Sequence, residues 1–173
     1  MATAGLVLGY LGLSVIPIMI VAAIAIPNLL RARIAANEAS AVGSMRIIET
    51  AAITYQANYA NGYPPSLKAM DGSGSGQPSC DHAQLIEPTL ASGRNSGYVF
   101  TYIALPAMTD SQAPDSPQAA ANGCTVRGGT TFTLNADPME RGNTGQRSFF
   151  ADQFGVIRFD ASSAATAESE PIR

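Results

Sequence analysis

Charge is what the beginning of this chain lacks. No Asp, Glu, Lys, Arg or His occurs before Arg31, and over all 173 residues charged side chains reach only 13%, about half the usual share. Basic residues are also short: Lys+Arg 10 stand against Asp+Glu 13, for a net charge of -3. That balance argues against the basic face a nucleic-acid partner would need, and no nucleic acid is expected as a partner. Tryptophan is absent, histidine occurs once and cysteine twice. With so few such side chains there is no H-E-x-x-H, no C-x-x-C, no G-x-S-x-G and no P-loop. His82 has Asp81 beside it but no nucleophile motif, and reads as a surface histidine at a helix start. Asp71-x-Ser73-x-Ser75-Gly76 imitates the opening of a calcium loop, but its twelfth position is His82 rather than a bidentate glutamate, so the stretch reads as a flexible linker. No catalytic residue, metal, cofactor or small-molecule substrate is expected.

The uncharged region is itself a strong signal. Leu6 to Leu30 reads LVLGYLGLSVIPIMIVAAIAIPNLL, 25 residues with no charge. A helix needs roughly 20 apolar residues to cross a bilayer's hydrocarbon, so a membrane-spanning helix half is expected over 1–30. The rivals are a buried core helix and a cleaved signal peptide, for which Ala23-Ile24-Ala25 offers a small-x-small site. Length weighs against the first; the missing basic n-region and the long apolar stretch weigh against the second. Pro17 and Pro27 each remove a helical hydrogen bond and are expected to kink the helix. Gly5 and Gly9 form a G-x-x-x-G pair, a spacing common by chance.

Beyond Arg31 and Arg33 an Ala-rich, Pro-free stretch runs to Asn61. Ile34, Val42, Met45, Ile48, Ala52, Tyr55 and Tyr59 fall on one helical stripe, with Arg46, Glu49 and Gln56 elsewhere. Residues 31–61 therefore predict an amphipathic continuation of the same helix. Asn61-Gly62 and Pro64-Pro65 supply the stop.

These residues carry a resemblance. IAIPNLLRARIAANEASAVGSMRIIETAAITYQANYANGYPPSL, from Ile24 to Leu67, resembles bacterial type IV pilins and the pseudopilins of type II secretion, with AIPN around Pro27 its most specific part. SGYVFTY, LNADP and RSFFADQFGVIRFD resemble head-domain strands of one branch of that family. The resemblance implies an α+β fold in which a long N-terminal helix packs on a small antiparallel sheet. It implies a non-enzymatic subunit of a helical filament, a pilus or pseudopilus, anchored in the inner membrane as a single-pass protein before assembly. Partners would be further copies, through their N-terminal helices, and other pilin-like subunits. Pro27 would lie in the filament core. Counting back from it places Gly5 at the leader-processing position and Leu6 at the mature start. Tyr10 then stands where the family has a glutamate, and the leader MATAG has no basic residue. The alternative is a membrane-tethered pilin-like binding module that does not polymerise.

Orientation is read from two opposed signals. Arg31 and Arg33 follow the span and nothing basic precedes it, so the positive-inside rule would keep the head in the cytoplasm. The resemblance places it outside. Cys80 and Cys124 lean the same way: they fit no metal or redox motif and lie in Gly/Ser/Pro-rich loops that a disulfide would staple, two free thiols being the alternative. An exterior head with a Cys80–Cys124 bond is the expectation.

Residues 62–173 predict the head. Pro65 to Met70 reads as one helical turn, and Asp81 to Leu90 as a short helix broken by Pro88. Tyr98 to Ile103 and Thr130 to Leu134 read as strands, the second closed by Asp137-Pro138, with a polar loop holding Pro106, Pro114 and Pro117 between them. Ser148 to Ala151 and Val156 to Phe159 read as a hairpin turning at Gly155. The Ala/Ser/Glu-rich tail from Ala161 is expected to fray.

Overall fold

The computed structural model describes residues 2–74, 76–105 and 117–172. Side chains of residues 2–16, 18 and 118 lie outside that description, so Gly5, Leu6 and Tyr10 are described only as helical backbone; Ser75, Pro106 and Pro114 fall outside it altogether. A single helix, α1, runs from Ala2 to Tyr59, 58 residues and roughly 85 Å. Pro17 and Pro27 lie inside it without ending it. It stops two residues earlier than expected. Ala60 takes a left-handed φ of 49° while its N–H still reaches the Gln56 carbonyl, and Gly62 then turns the chain at φ 77°.

The head is a six-stranded antiparallel meander whose strands neighbour one another in chain order. They are β1 (Arg94–Asn95), β2 (Tyr98–Leu105), β3 (Thr131–Pro138), β4 (Ser148–Asp152), β5 (Arg158–Asp160) and β6 (Glu170–Pro171). With α1 on one face of this sheet the fold is α+β. Alternation places the core: β3 sends Phe132, Leu134 and Ala136 inward, and β2 sends Tyr98, Phe100 and Ala104. Against them α1 sets Ala41, Met45, Ile48, Ala52 and Tyr55, all buried. Each large side chain so buried stabilises by roughly 1.5–3 kcal/mol. Ile34, Val42 and Tyr59, expected on the same stripe, are half-buried at its ends and margin.

Four expectations need correction. Asp81 to Leu90 is not a helix broken at Pro88. The helix α2 begins there, at Pro88–Ala91, because proline's missing N–H and fixed φ suit the first helical position. Before it, residues 79–86 make short bridges, Ser79 with His82 and Ile86 with Asp71. His82 is therefore exposed in a tight turn rather than at a helix start. The stretch after Asp71, read as a free linker, is tied down: Gln84 donates to the carbonyls of Gly74 and Gly76, and the Asp71 carboxylate accepts from Ser73. Those bonds hold the Asp71 carboxyl below its ordinary value. The loop before β3 also contains a short helix, α3 (Pro117–Ala121).

The tail is the fourth. It folds back over the outer face of the sheet instead of fraying. Ala165 is buried, its carbonyl accepts from Asn135 at 3.0 Å, and β6 pairs with β5. Arg141 donates to the carbonyls of Ala161 and Ser163 as well as to Ser148 Oγ, and Arg158 donates to Ser169. Backbone N–H groups of Ser163 and Ser162 bring the Asp160 carboxyl down to about 2. The physical reason lies in β4. Ser148, Phe149, Phe150 and Ala151 are buried without alternation, so both faces of that strand need a cover, and the tail supplies the outer one.

Two tyrosines in β2 predict opposite responses. The Tyr98 hydroxyl donates to the Arg147 carbonyl at 2.8 Å, whereas the Tyr102 hydroxyl is buried with no hydrogen-bond partner. The Tyr102 ring stacks on Phe132, and burial pushes its phenol well above the ordinary range. Tyr98→Phe is expected to lose about 1 kcal/mol, while Tyr102→Phe loses nothing or gains a similar amount. Urea unfolding of both variants measures the difference, and equal losses would show that the Tyr102 hydroxyl has a partner.

Candidate functional site: an apolar helix held by its head

The surface that most needs a partner is the first half of α1. Met19, Ile20, Val21, Ile24, Ile26, Leu29 and Leu30 are all exposed, Leu29 at 73%. The helix is long and apolar enough to span a membrane, and among its described side chains none in the apolar window is buried by the rest of the chain. Pro27 sits within this bare stretch, exposed, and cannot donate to the Ala23 carbonyl one turn back.

Contact with the head begins only seven residues beyond Leu30, roughly 10 Å along the axis. There Asn37 donates to the Thr144 carbonyl at 2.8 Å, and Glu38 forms a polar joint of four bonds. One Glu38 oxygen accepts the backbone N–H groups of Gln146 (2.8 Å) and Arg147 (3.1 Å). The other takes Arg147 Nε at 2.8 Å and Nη2 at 2.7 Å. Glu38 is buried, so this charge is held by four charge-assisted bonds rather than by solvent. Arg147 in turn lies over the rings of Phe149 and Phe159, at 5.7 and 5.3 Å. On the flank away from Glu38, which Asn37 shares, Asn95 in β1 donates to Ser44 Oγ at 3.0 Å and Ser40 bonds Ser96. Both flanks of α1 are thereby fixed to the sheet.

Near the C-terminal end of α1 the head carries a covalent bond of its own. Cys80 and Cys124 form a disulfide across 44 residues. It is buried beside Tyr55, whose hydroxyl lies 2.8 Å from Cys80 Sγ, and near Asn61, which donates to the Val126 carbonyl. Burial pushes the Tyr55 phenol up to about 12. Asp81, adjacent to Cys80, accepts from the backbone and hydroxyl of Thr125. That contact occupies the carboxylate which a catalytic reading of His82 would have required. Among the described residues no cluster of three His, Cys, Asp or Glu side chains could hold a metal.

Sequence reasoning missed Glu38 and misplaced Glu49. Both lie on the buried side of α1. Glu38 falls three residues before Ala41 and seven before Met45, on the apolar stripe, and an acid there is the available signal of a buried pairing. Glu49 adjoins Ile48 and is only 9% exposed, with Oε1 buried and unpartnered. Burial raises its carboxyl above 4.5; Arg46 lowers it, and Asp152 raises it further. Between the unfolded value and the raised folded value, the native state binds the proton more tightly than the unfolded chain does. Stability therefore falls as pH rises through that window. Glu49→Gln is expected to flatten the decline and to be more stable than the parent at pH 8, by roughly 1 kcal/mol, but not at pH 4. Urea midpoints at the two pH values test this, and identical pH slopes would refute it.

The chain matches no family model, no curated protein and no solved structure.

Proposed function

We propose that this chain is a non-enzymatic, pilin-like or pseudopilin-like subunit that assembles into a filament through its N-terminal helix. Before assembly it is held in the bacterial inner membrane as a single-pass protein, with its head outside the cytoplasm. The observation that carries the reading is the unbroken helix from Ala2 to Tyr59, whose described apolar side chains from Met19 to Leu30 stand clear of the head while its other half is built into it. Apolar surface of that extent must be covered by lipid or by other copies, because exposing it to water costs roughly 25 cal/mol per Å². Outside a bilayer, only bundling with neighbouring helices meets that demand. The AIPN resemblance around Pro27 adds to this, since a missing helical hydrogen bond lets the segment adjust within a bundle.

A second reading, a tethered binding module that stays single in the membrane, is favoured by Tyr10, which has no charge to offer an incoming subunit. One experiment separates the two. Cysteine placed at Ile24 of the full chain should cross-link between copies in vesicles and in sheared extracellular material if the chain polymerises. The N-terminus of the native protein adds a second readout: processing at Gly5 would leave Leu6 first, and no processing would favour the tethered module.

A further inference from the structure

The β4–β5 turn carries a side chain that its own fold does not use. The Asp152 carboxylate accepts the Phe154 N–H at 3.0 Å, the Asp152 carbonyl accepts the Gly155 N–H at 3.0 Å, and Gly155 takes φ 72°. The backbone of the tip is thus set by its neighbours, while Phe154 projects from it at 78% exposure beside Val156. Tight turns ask for small polar residues, so neither the turn nor the core accounts for a phenylalanine here.

At the other edge of the sheet lies a groove of about 450 Å³ between α1 and the segment leading into α2. Ile47, Leu85, Pro88 and Leu90 line it, and a second depression, bordered by Arg46, continues it along α1 past Thr50 to Thr54. Ile47, 53% exposed, forms the ridge between the two. Asn95 of β1 also borders the groove, whereas Asp152 belongs to β4, so knob and groove occupy opposite flanks of the helix. Their heights match. Arg147 is bonded to Glu38, and Asp152 lies five strand residues, roughly 17 Å, beyond it; the same distance along α1 from Glu38 reaches Glu49, inside the groove's span from Ser44 to Thr54, and Asp152 acts on the Glu49 carboxyl.

We propose that Phe154 of one copy seats in the Ile47–Leu85–Pro88 groove of the next copy of this chain. The inference rests on the assembly reading above and names the head contact within it. Charge sets its direction: Asp152 at the base of the knob meets Arg46 on the groove's wall, while a knob-to-knob pairing would set Asp152 against Asp152. Because knob and groove lie on opposite flanks, the contact is heterologous and each copy can pass it on to another. Because they lie at one height, joined copies stay side by side and their bare apolar helices cover each other. A seated phenylalanine buries on the order of 200 Å² per partner, far less than a self-sufficient interface. The contact therefore forms only where the helices already hold copies together and raise the local concentration.

Full-length chains in phosphatidylcholine vesicles test this with added cysteines at exposed positions. Phe154→Cys chains mixed with Thr50→Cys chains should give at least tenfold more cross-linked dimer on mild oxidation than Phe154→Cys mixed with Ala167→Cys, a position on the loop before β6. A chain carrying both Phe154→Cys and Thr50→Cys should give a ladder of multimers. Ile24→Cys reports helix association separately. Helices that cross-link at position 24, with the 154–50 pair no better than the 154–167 pair, would overturn the head contact and leave filament assembly standing. Strong cross-linking of Phe154→Cys to itself would overturn it as well, by showing a symmetric pairing. No cross-link at position 24 would remove the assembly reading and this contact with it.

Discussion

A chain reduced to residues 31–173 is expected to be soluble and monomeric, whereas the full chain requires detergent or enters filaments. The continuous run of apolar surface that lacks cover within the described part of α1, from Met19 to Leu30, is lost in that truncation, and of the exposed large apolar side chains on α1 Ile47 and Ile53 remain. What remains of the helix is the half whose buried face carries Ala41, Met45, Ile48 and Tyr55 into the core. Deleting roughly 20 apolar residues removes far more hydrophobic surface than any head contact supplies, so the effect on association should exceed that of any point substitution. Light scattering on the truncated head decides the matter. Stable oligomers of the head alone at micromolar concentration would place the assembly surface on the sheet rather than on the helix.

The largest expected loss of stability from a point change follows from the disulfide. Closing a loop between Cys80 and Cys124, 44 residues apart, stabilises by about 4 kcal/mol in the chain-entropy account. The bridge joins the stretch after the 3-10 turn Leu67–Met70 to the segment following α3, neither of which belongs to the sheet. With so few ladder bonds of their own, these segments should open first when it is cut. Cys124→Ser is therefore expected to lower the unfolding free energy by about 4 kcal/mol and to expose Tyr55, now sealed beside Cys80. Membrane insertion should be unchanged. Urea unfolding of the head reports the loss, and non-reducing mass spectrometry of the parent should find no alkylatable thiol. A variant within 1 kcal/mol of the parent would mean that the loop is already constrained by its packing.

The long helix and most of the meander could be read from residue pattern, because each rests on a local rule. Charge-free length marked the first half of α1, a three-four beat marked the second, and alternation marked β2 and β3. Features that depend on distant cover were not legible in this way. Glu38 stands on the apolar stripe, which hints at burial, but the groups that hold it, Gln146 and Arg147, lie more than a hundred residues away. The tail looks disordered by composition because its partners, Asn135 and Arg141, belong to other elements. Ser148-Phe149-Phe150-Ala151 held the clue, since an apolar run in a strand means two covered faces. The groove beside Ile47 left no trace in the sequence, as its walls come from α1 and from a segment nearly forty residues further on.

The joint at Glu38 also decides how this molecule would bear a load. β4 runs alongside α1, with Arg147 meeting Glu38 and Asp152 standing near Glu49, so helix and strand run in the same direction. A pull on the head directed away from an anchored helix is then a sliding force along their shared length. The Glu38 bonds, the Asn37 and Ser44 bonds and the buried stripe from Ala41 to Tyr55 must resist it at the same moment. A sideways pull at the head's far end would instead open the contacts one after another, from the disulfide end toward Glu38. The chain should therefore withstand axial tension much better than peeling, a directional toughness that neither a flexible linker nor a joint at one end of the head would give.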